Sequence, residues 1–308
     1  MKPYFFSFLA MGTPCNLQLF SKSQEWAGLA AALAIAEVER IQRKYSRYLP
    51  NSTLSLLNRD AAKSEGSVVD DETAGLIEYA FACHLKSDGF FDVTSGVLRR
   101  AWDFSSETLP TNDAVNELLP LIGMEKLRWK PPHLAFTVPG MELDFGGIGK
   151  EYAVDRVATI LASEGVTNGL IDFGGDLFAL GPLLDGQPWK IGLRDPHDKD
   201  RLIDTVELMQ GALATSGDYE RCITFQGKRY SHILNPVTGW PVTGLSSVTV
   251  LAPQCMVAGS ISTIAMLKGL ASIPWLAGSN LSHRWVDGQG NQGGISYLDT
   301  VEPLSCGS

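Results

Sequence analysis

The chain has 308 residues, of which 44% are hydrophobic and 19% charged, and its formal net charge is -9. This is the composition of a folded globular protein and not of a disordered one, long enough for one large domain or two intimately packed subdomains around a sizeable core. Nucleic acid is excluded as a partner class, because phosphate binding needs clustered Lys and Arg and here they are scattered along an acidic chain.

Residues 1–11 are apolar but short and run directly into 12–20, which reads as the start of a β-hairpin. A secretory signal needs a basic first segment and a longer apolar run, and Gly12-Thr13-Pro14 before Cys15 makes a poor lipoprotein cleavage site. Cys15, Cys83, Cys222, Cys255 and Cys306 contain no C-x-x-C pair, so neither a zinc site nor a disulfide framework is expected. Free thiols in a reducing compartment are the default.

Next, Glu25 to Tyr45 carries Ala31, Ile35, Val38, Ile41 and Tyr45 at helical spacing, with Ser23 placed to cap the start. Thr73 to Ser87 and Lys150 to Gly165 read as helices in the same way. The second of these follows Gly146-Gly147-Ile148-Gly149, and its first turn would aim free backbone N–H groups at an anion such as a pyrophosphate. Strands are expected at 169–173, 189–193, 205–208, 223–225 and 247–252, with a turn at Asp195-Pro196-His197-Asp198. Between them Tyr230, His232 and Leu234 alternate with Ser231 and Ile233, as in a strand that Asn235-Pro236-Val237-Thr238-Gly239 stops sharply. His232 is thereby placed on a rigid edge beside a turn, a good position for a general base, although a lone histidine on a strand is more often structural. A helix over 257–268 and a hairpin around Arg284-Trp285-Val286 and Gly293 to Tyr297 complete the chain. Helices and strands alternate without a βαβ rhythm, so the expected class is α+β, with mixed sheets and packed helices.

Several short segments carry a family likeness. Met11-Gly12-Thr13, Ser46-Arg47-Tyr48 with Leu54-Ser55-Leu56-Leu57-Asn58, Phe91-Asp92-Val93-Thr94-Ser95-Gly96, Leu143-Asp144-Phe145-Gly146-Gly147-Ile148-Gly149-Lys150, Ile171-Asp172-Phe173-Gly174-Gly175-Asp176, Ala214-Thr215-Ser216-Gly217-Asp218-Tyr219, the His232 segment and Ser262-Thr263 together resemble the ApbE family of FAD:protein FMN transferases. Each motif is weak alone. They occur in the family's order over nearly the whole chain, so 1–308 is read as one flavin-transferase domain.

The resemblance implies a phosphoryl transfer in which FAD is attacked by a threonine of an acceptor flavoprotein, FMN becomes covalently attached and AMP leaves. His232 would be the catalytic base. Met11, Tyr48, Phe90, Phe91, Asp92, Tyr152 and the backbone at Ile233 would hold the dinucleotide, Gly146 would let backbone approach the phosphates, and Lys150 would neutralise their charge. Asp176, Ser216 and Asp218 would bind ribose, adenine or flavin groups. Mg2+ would rest on Gly149, Ser262 and Thr263. Many family members are periplasmic lipoproteins; a chain starting at the first family motif is expected in the cytoplasm, or in the periplasm if a leader has been removed. No nucleic-acid partner and no transmembrane segment are expected.

Three departures from the family pattern stand out. Gly259 replaces an aspartate that is a Mg2+ ligand in the family, Asn235 replaces an aspartate in the turn after His232, and Glu151 replaces a glycine, adding negative charge beside the phosphate cradle. The first implies a weak metal site, since a hard cation prefers anionic oxygens. Restoring an aspartate at 259 would be expected to raise Mg2+ affinity at modest steric risk, because residues four apart share a helix face with Thr263. With that ligand missing, two alternatives to transfer stay open. One is an FAD-binding carrier or sensor that has lost the activity, the other a hydrolase cleaving FAD to FMN and AMP.

Overall fold

The N-terminal hairpin sets the geometry of one edge of the protein. Met11 and Gly12 both take positive φ, 52° and 73°, the two-residue turn whose twist matches right-handed strands, and β1 (Lys2–Ala10) therefore pairs with β2 (Thr13–Ser21) in register Ala10 to Thr13. The computed structural model describes residues 1–63, 65–219 and 221–296. Cys306 and Tyr297, the end of the expected C-terminal hairpin, lie outside them.

After the hairpin come α1 (Gln24–Tyr45), α2 (Thr53–Ala61), β3 (Ser67–Val68), α3 (Asp71–Lys86), α4 (Asn112–Asn116), β4 (Leu127–Lys130) and β5 (His133–Phe136). The second half runs α5 (Gly149–Ser163), β6 (Gly169–Phe173), β7 (Asp176–Gly181), β8 (Trp189–Arg194), β9 (Leu202–Leu208), β10 (Gly211–Gly217), β11 (Cys222–Phe225) and β12 (Lys228–Ser231). It closes with β13 (Leu245–Ala252), α6 (Cys255–Lys268), α7 (Ser272–Ala277), β14 (His283–Asp287) and β15 (Gln292–Ile295). The class is α+β. An eight-stranded sheet in the order β1-β2-β6-β7-β10-β13-β14-β15 forms its centre, and every neighbouring pair in it is antiparallel.

Strand alternation divides the two faces of this sheet. On one face α1 lies over β1 and β2, α5 over β6 and β7, and α6 over β10 and β13. Ala212 and Ala214 of β10 face this helix layer and join the main core, whereas Leu213 faces the other way and packs with Leu177, Ala179, Trp189 and Leu208 beneath the β8–β9 hairpin. Ser216 follows Ala212 and Ala214 on the helix side, and Asp176 precedes Phe178 there. The same period that buries the alanines thus places two polar side chains under the helices.

Four helix starts carry the cap the sequence provides. Ser23, Ser52, Asp70 and Thr111 each accept from a backbone N–H three residues on, which satisfies one orphan donor per helix. Helix α6 is different, since Gln254 supplies no cap. Instead Asp155 of α5 reaches across, its Oδ1 accepting from Cys255 N at 2.7 Å and its Oδ2 from Met256 N at 2.9 Å. The stretch Cys255–Ala277 has the length and hydropathy to cross a membrane, at a mean hydropathy of 1.5, but half of it is buried and α6 packs on β10 and β13.

Two local expectations are corrected. The strand before the turn ends at Ser231, so His232 lies just beyond β12, and Leu234 makes only an isolated bridge to Pro241. The sequence signals no element at α2, β3, α4, β4, β5, β7, β10 or α7. Gly211-Ala212-Leu213-Ala214-Thr215-Ser216-Gly217 has weak strand propensity, yet small side chains are what fit beneath α6.

Replacing Asp155 by Ala should lower unfolding stability by ~1–2 kcal/mol, since two N–H groups at the start of α6 lose their acceptor. Urea denaturation checks this, and an unchanged midpoint would deny the cross-helix cap.

Candidate functional site

Three glycine-containing loops converge at the start of α5. Tyr45 packs edge-on against Phe145, with ring centroids 5.5 Å apart, and Arg47 Nη1 donates to Asp144 Oδ2 at 2.7 Å and to Gly96 O at 2.8 Å. Asp144 N donates to Val93 O at 2.8 Å, so the Phe91–Gly96 loop is fastened along the Asp144–Gly147 loop. A Cβ at Gly96 would lie 2.4 Å from Asp144 Cβ, and one at Gly147 would touch the Phe91 ring at 3.4 Å. Glycine is required at Gly96 for this close approach.

Met11 completes the arrangement from the hairpin. Its left-handed backbone is unusual for a non-glycine residue and is held by Gln42 Oε1, which accepts from Met11 N. Its Cε lies 3.8 Å from the position of a Cβ on Gly149. Met11, Phe91, Gly146, Gly147 and Gly149 are therefore neighbours around the first turn of α5, where no side chain caps the helix. The helix end keeps the polarity that suits an anion, but the N–H groups there are not all free as expected, since Gly146 N donates to Asp144 Oδ1 at 2.8 Å and Gly149 N to Phe145 O at 2.7 Å.

Behind that turn lies a buried charge cluster. Lys150 Nζ stands 2.8 Å from Asp176 Oδ2, and the aspartate side chain is almost wholly buried. Burial opposes the Lys150 charge, but Asp176 and Glu151 beside it hold the ammonium above its ordinary pKa. Burial raises Asp176 in turn, against the pull of Lys150. Glu151 is 8% exposed, and its Oε2 has no hydrogen-bond partner among the described residues. Burial and then Asp176 push its carboxyl up.

Glu151 turns toward α6. A Cβ at Gly259 would sit 2.5 Å from Glu151 Cγ and 2.8 Å from Oε1, so the Glu151 side chain occupies the space that any residue 259 side chain would enter. This corrects two expectations. Glu151, expected as a negative charge beside the phosphate cradle, is buried and directed at α6, and an aspartate at 259 is not sterically modest while Glu151 is present. One turn further along α6, Ser216 Oγ lies 2.8 Å from Ser262 Oγ and 3.0 Å from Thr263 Oγ1.

His232 sits at the other side of this region. Its Nδ1 is 3.1 Å from Arg221 O, and its backbone N donates to the same carbonyl at 2.9 Å. A carbonyl can only accept, so Nδ1 carries the ring proton and Nε2 is left with its lone pair. Burial, helped by Arg99, lowers its pKa from 6.5 to about 4. Asp218 faces Arg229 Nη2 at 2.9 Å, with Ser246 Oγ 3.4 Å from its Oδ2; burial raises its pKa despite Arg229. Asn235 keeps its turn without a charge, its Oδ1 accepting from Val237 N at 2.8 Å and Thr238 N at 3.2 Å.

Not every expected contact residue faces this region. Tyr152 donates to Glu72 Oε1 at 2.7 Å, in a network with Arg40 and Lys44 on α1, so its hydroxyl is committed to the helix layer. The Asp92 carboxylate accepts from Thr94 N, Thr94 Oγ1 and Met124 N and holds its own loop. At Ile233 the N–H donates to Ser231 Oγ and the carbonyl accepts from Val242 N, which leaves that backbone committed. Phe90 is half-buried beneath Lys268 Nζ, 5.5 Å from the ring centroid. Tyr48 is 80% exposed, an open aromatic face.

Three arginines were missed as site residues. Arg47 clamps the two loops, Arg221 presents its carbonyl to His232 and its Nη2 to Gly12 O at 3.1 Å, and Arg99 is a cation whose pKa burial lowers. Arg47 lies within a segment that carried the family likeness, which is the one signal that pointed to it.

The Ser216, Ser262 and Thr263 hydroxyls one turn along α6 from Gly259 are hard oxygens. No group of three or more His, Cys, Asp or Glu suited to a metal occurs among the described residues, so a cation here would depend on one carboxylate, hydroxyls, water and ligand phosphates. Such a set fits Mg2+ or a similar ion. The orphaned Glu151 oxygen and the side-chain-free position at Gly259 both agree with that fit.

The model of the ApbE family matches residues 11–284. The chain is 33% identical over 270 residues to an FAD:protein FMN transferase of Vibrio cholerae, covering 84% of this chain and 79% of that protein. It is 30% identical to an FAD:protein FMN transferase of Treponema pallidum, covering 85% and 77%. Among solved structures, the apbe protein of Thermotoga maritima superimposes with a TM-score of 0.86 at 31% identity, over 95% of this chain and 97% of that one. The Vibrio cholerae flavin transferase ApbE gives a TM-score of 0.85 at 27% identity, over 96% and 97%.

Two measurements test this geometry. The ring protons of His232 in the ligand-free protein should titrate near pH 4 in NMR spectra and not near 6.5. Because the unfolded chain takes up this proton first, the group removes stability as pH falls from 6.5 toward 4; a midpoint near 6.5 contradicts the buried neutral ring. Gly259→Ala, although a gain in helix propensity, should destabilise by ~1–3 kcal/mol by overpacking against Glu151. A stabilised variant would deny the contact.

Proposed function

This chain belongs to the ApbE family, and on that premise we infer that it is an FAD:protein FMN transferase, an enzyme that moves the FMN part of FAD onto an acceptor flavoprotein. The acceptor group is a threonine hydroxyl. In the transfer its oxygen forms a bond to the FMN phosphorus, the bond from that phosphorus to the AMP oxygen breaks, and the hydroxyl proton passes to a base. AMP departs with the electron pair of the broken bond.

The observation that carries this reading is the state of His232. Nδ1–H is held by the Arg221 carbonyl, the ring is neutral near pH 7, and Nε2 carries the lone pair. A base must be unprotonated before it can accept; burial, helped by Arg99, keeps the ring so, while the Arg221 carbonyl only fixes which nitrogen holds the lone pair. The low pKa makes it a mild base, so proton transfer accompanies bond formation and does not precede it. The loop at Gly147 and the first turn of α5 would bring backbone to the diphosphate, while Met11, Phe90 and the exposed face of Tyr48 offer apolar and aromatic surface to the rings and Phe91 stays buried behind them. Mg2+ on Ser262 and Thr263 would neutralise phosphate charge as the leaving group forms.

Protein, FAD, Mg2+ and a threonine-bearing acceptor peptide should yield a peptide whose intact mass increases by one FMN. His232→Ala should lower that rate by ~10²–10⁴-fold while FAD still quenches on binding, since a base for the nucleophile is not needed in the ground state. AMP release without a labelled peptide would identify a hydrolase, FAD binding without AMP a carrier, and wild-type turnover by His232→Ala would remove the histidine from the chemistry.

A further inference from the structure

We propose that Glu151 of α5 supplies the anionic ligand for a hard divalent cation held between α5 and α6 beside the Ser216, Ser262 and Thr263 hydroxyls. The proposal deepens the transferase reading and rests on it for the role of the cation, but not for the existence of the site.

Two independent observations meet at one place. The first is the orphaned oxygen: Glu151 is 8% exposed and its Oε2 has no partner among the described residues. A buried carboxylate oxygen without a donor is costly, and an unsatisfied buried oxygen in a native protein calls for an ion or a water. Asp176, the other carboxylate under α5, already has Lys150 at 2.8 Å. Lys150 acts on Glu151 through its charge but makes its ion-pair contact with Asp176.

The second observation is the missing side chain opposite. Glycine inside a helix loses about 1 kcal/mol relative to alanine, so its presence at 259, in the middle of α6 (Cys255–Lys268), needs a cause. The cause is steric, because a Cβ there would fall 2.5 Å from Glu151 Cγ. Glu151 thus lays its carboxylate on the surface of α6 at position 259, one turn before Thr263. Residues 259 and 263 lie on one helix face, and Ser216 of β10 touches both Ser262 and Thr263 from the sheet. A carboxylate moved from α6 to α5 leaves the oxygen in the same pocket, so Gly259 does not by itself imply a weakened site.

The test is calorimetric titration of the full chain with MgCl2, with and without FAD, compared with FAD binding and FMN transfer measured separately. Wild type should bind Mg2+, Glu151→Gln should keep its circular dichroism and bind at least about tenfold more weakly, and the double variant Glu151→Gly with Gly259→Asp should recover the affinity. If Glu151→Gln does not fold, the double variant decides: recovered affinity supports the site and none refutes it. Wild-type affinity in Glu151→Gln, or no Mg2+ binding by the wild type with FAD, overturns the assignment. Transfer by the wild type together with unaltered binding in Glu151→Gln would reject this site and leave the transferase reading intact. Binding that depends on Glu151 with no transfer would do the reverse.

Discussion

Glu151 can lie buried between α5 and α6 only because residue 259 has no side chain. That single steric allowance fixes much around it. It lets a carboxylate approach the middle of α6, and it places that carboxylate beside a cluster of hydroxyls from β10 and α6. Neither residue is favourable alone, since a helix-interior glycine and a buried unpartnered carboxylate both destabilise. Their complementarity is a packing fact first and a chemical one second.

The surrounding fold explains how the remaining groups arrive there. Alternation along β10 puts Ala212 and Ala214 under α6 and then, on the same face, Ser216. Alternation along β7 puts Asp176 under α5, where Lys150 matches its charge. Arg47 and Tyr45, at the end of α1, lock the Asp144–Gly147 loop that launches α5. Asp155, one turn beyond Glu151, then caps α6 with two hydrogen bonds. One short helix therefore orients a loop for anions, a lysine–aspartate pair, an unpartnered carboxylate and the start of the neighbouring helix.

Much of this was legible in the sequence, and the boundary is physical. The helices at α1, α3, α5 and α6 follow from apolar spacing, and Ser23 caps α1 as its position suggests. β7 and β10 were hidden because their small residues are selected by tertiary crowding and not by strand propensity. The α6 cap was hidden because the carboxylate that accepts from its first N–H lies 100 residues away. Gly259 and Glu151 were each visible as departures from the family pattern, yet one read as a lost ligand and the other as a stray charge. Only the contact between two helices shows them to be a pair. For Tyr152 and Asp92, residue type and position suit a ligand while their hydrogen bonds go to Glu72 and to the Asp92 loop.

The most direct test of this account is crystallographic. Crystals of the full chain grown with FAD and MnCl2, measured at the manganese edge, should show an anomalous peak bonded to a Glu151 carboxylate oxygen, with the Ser262–Thr263 turn and a flavin phosphate around it. A peak coordinated elsewhere, with Glu151 unliganded against Gly259, would contradict it.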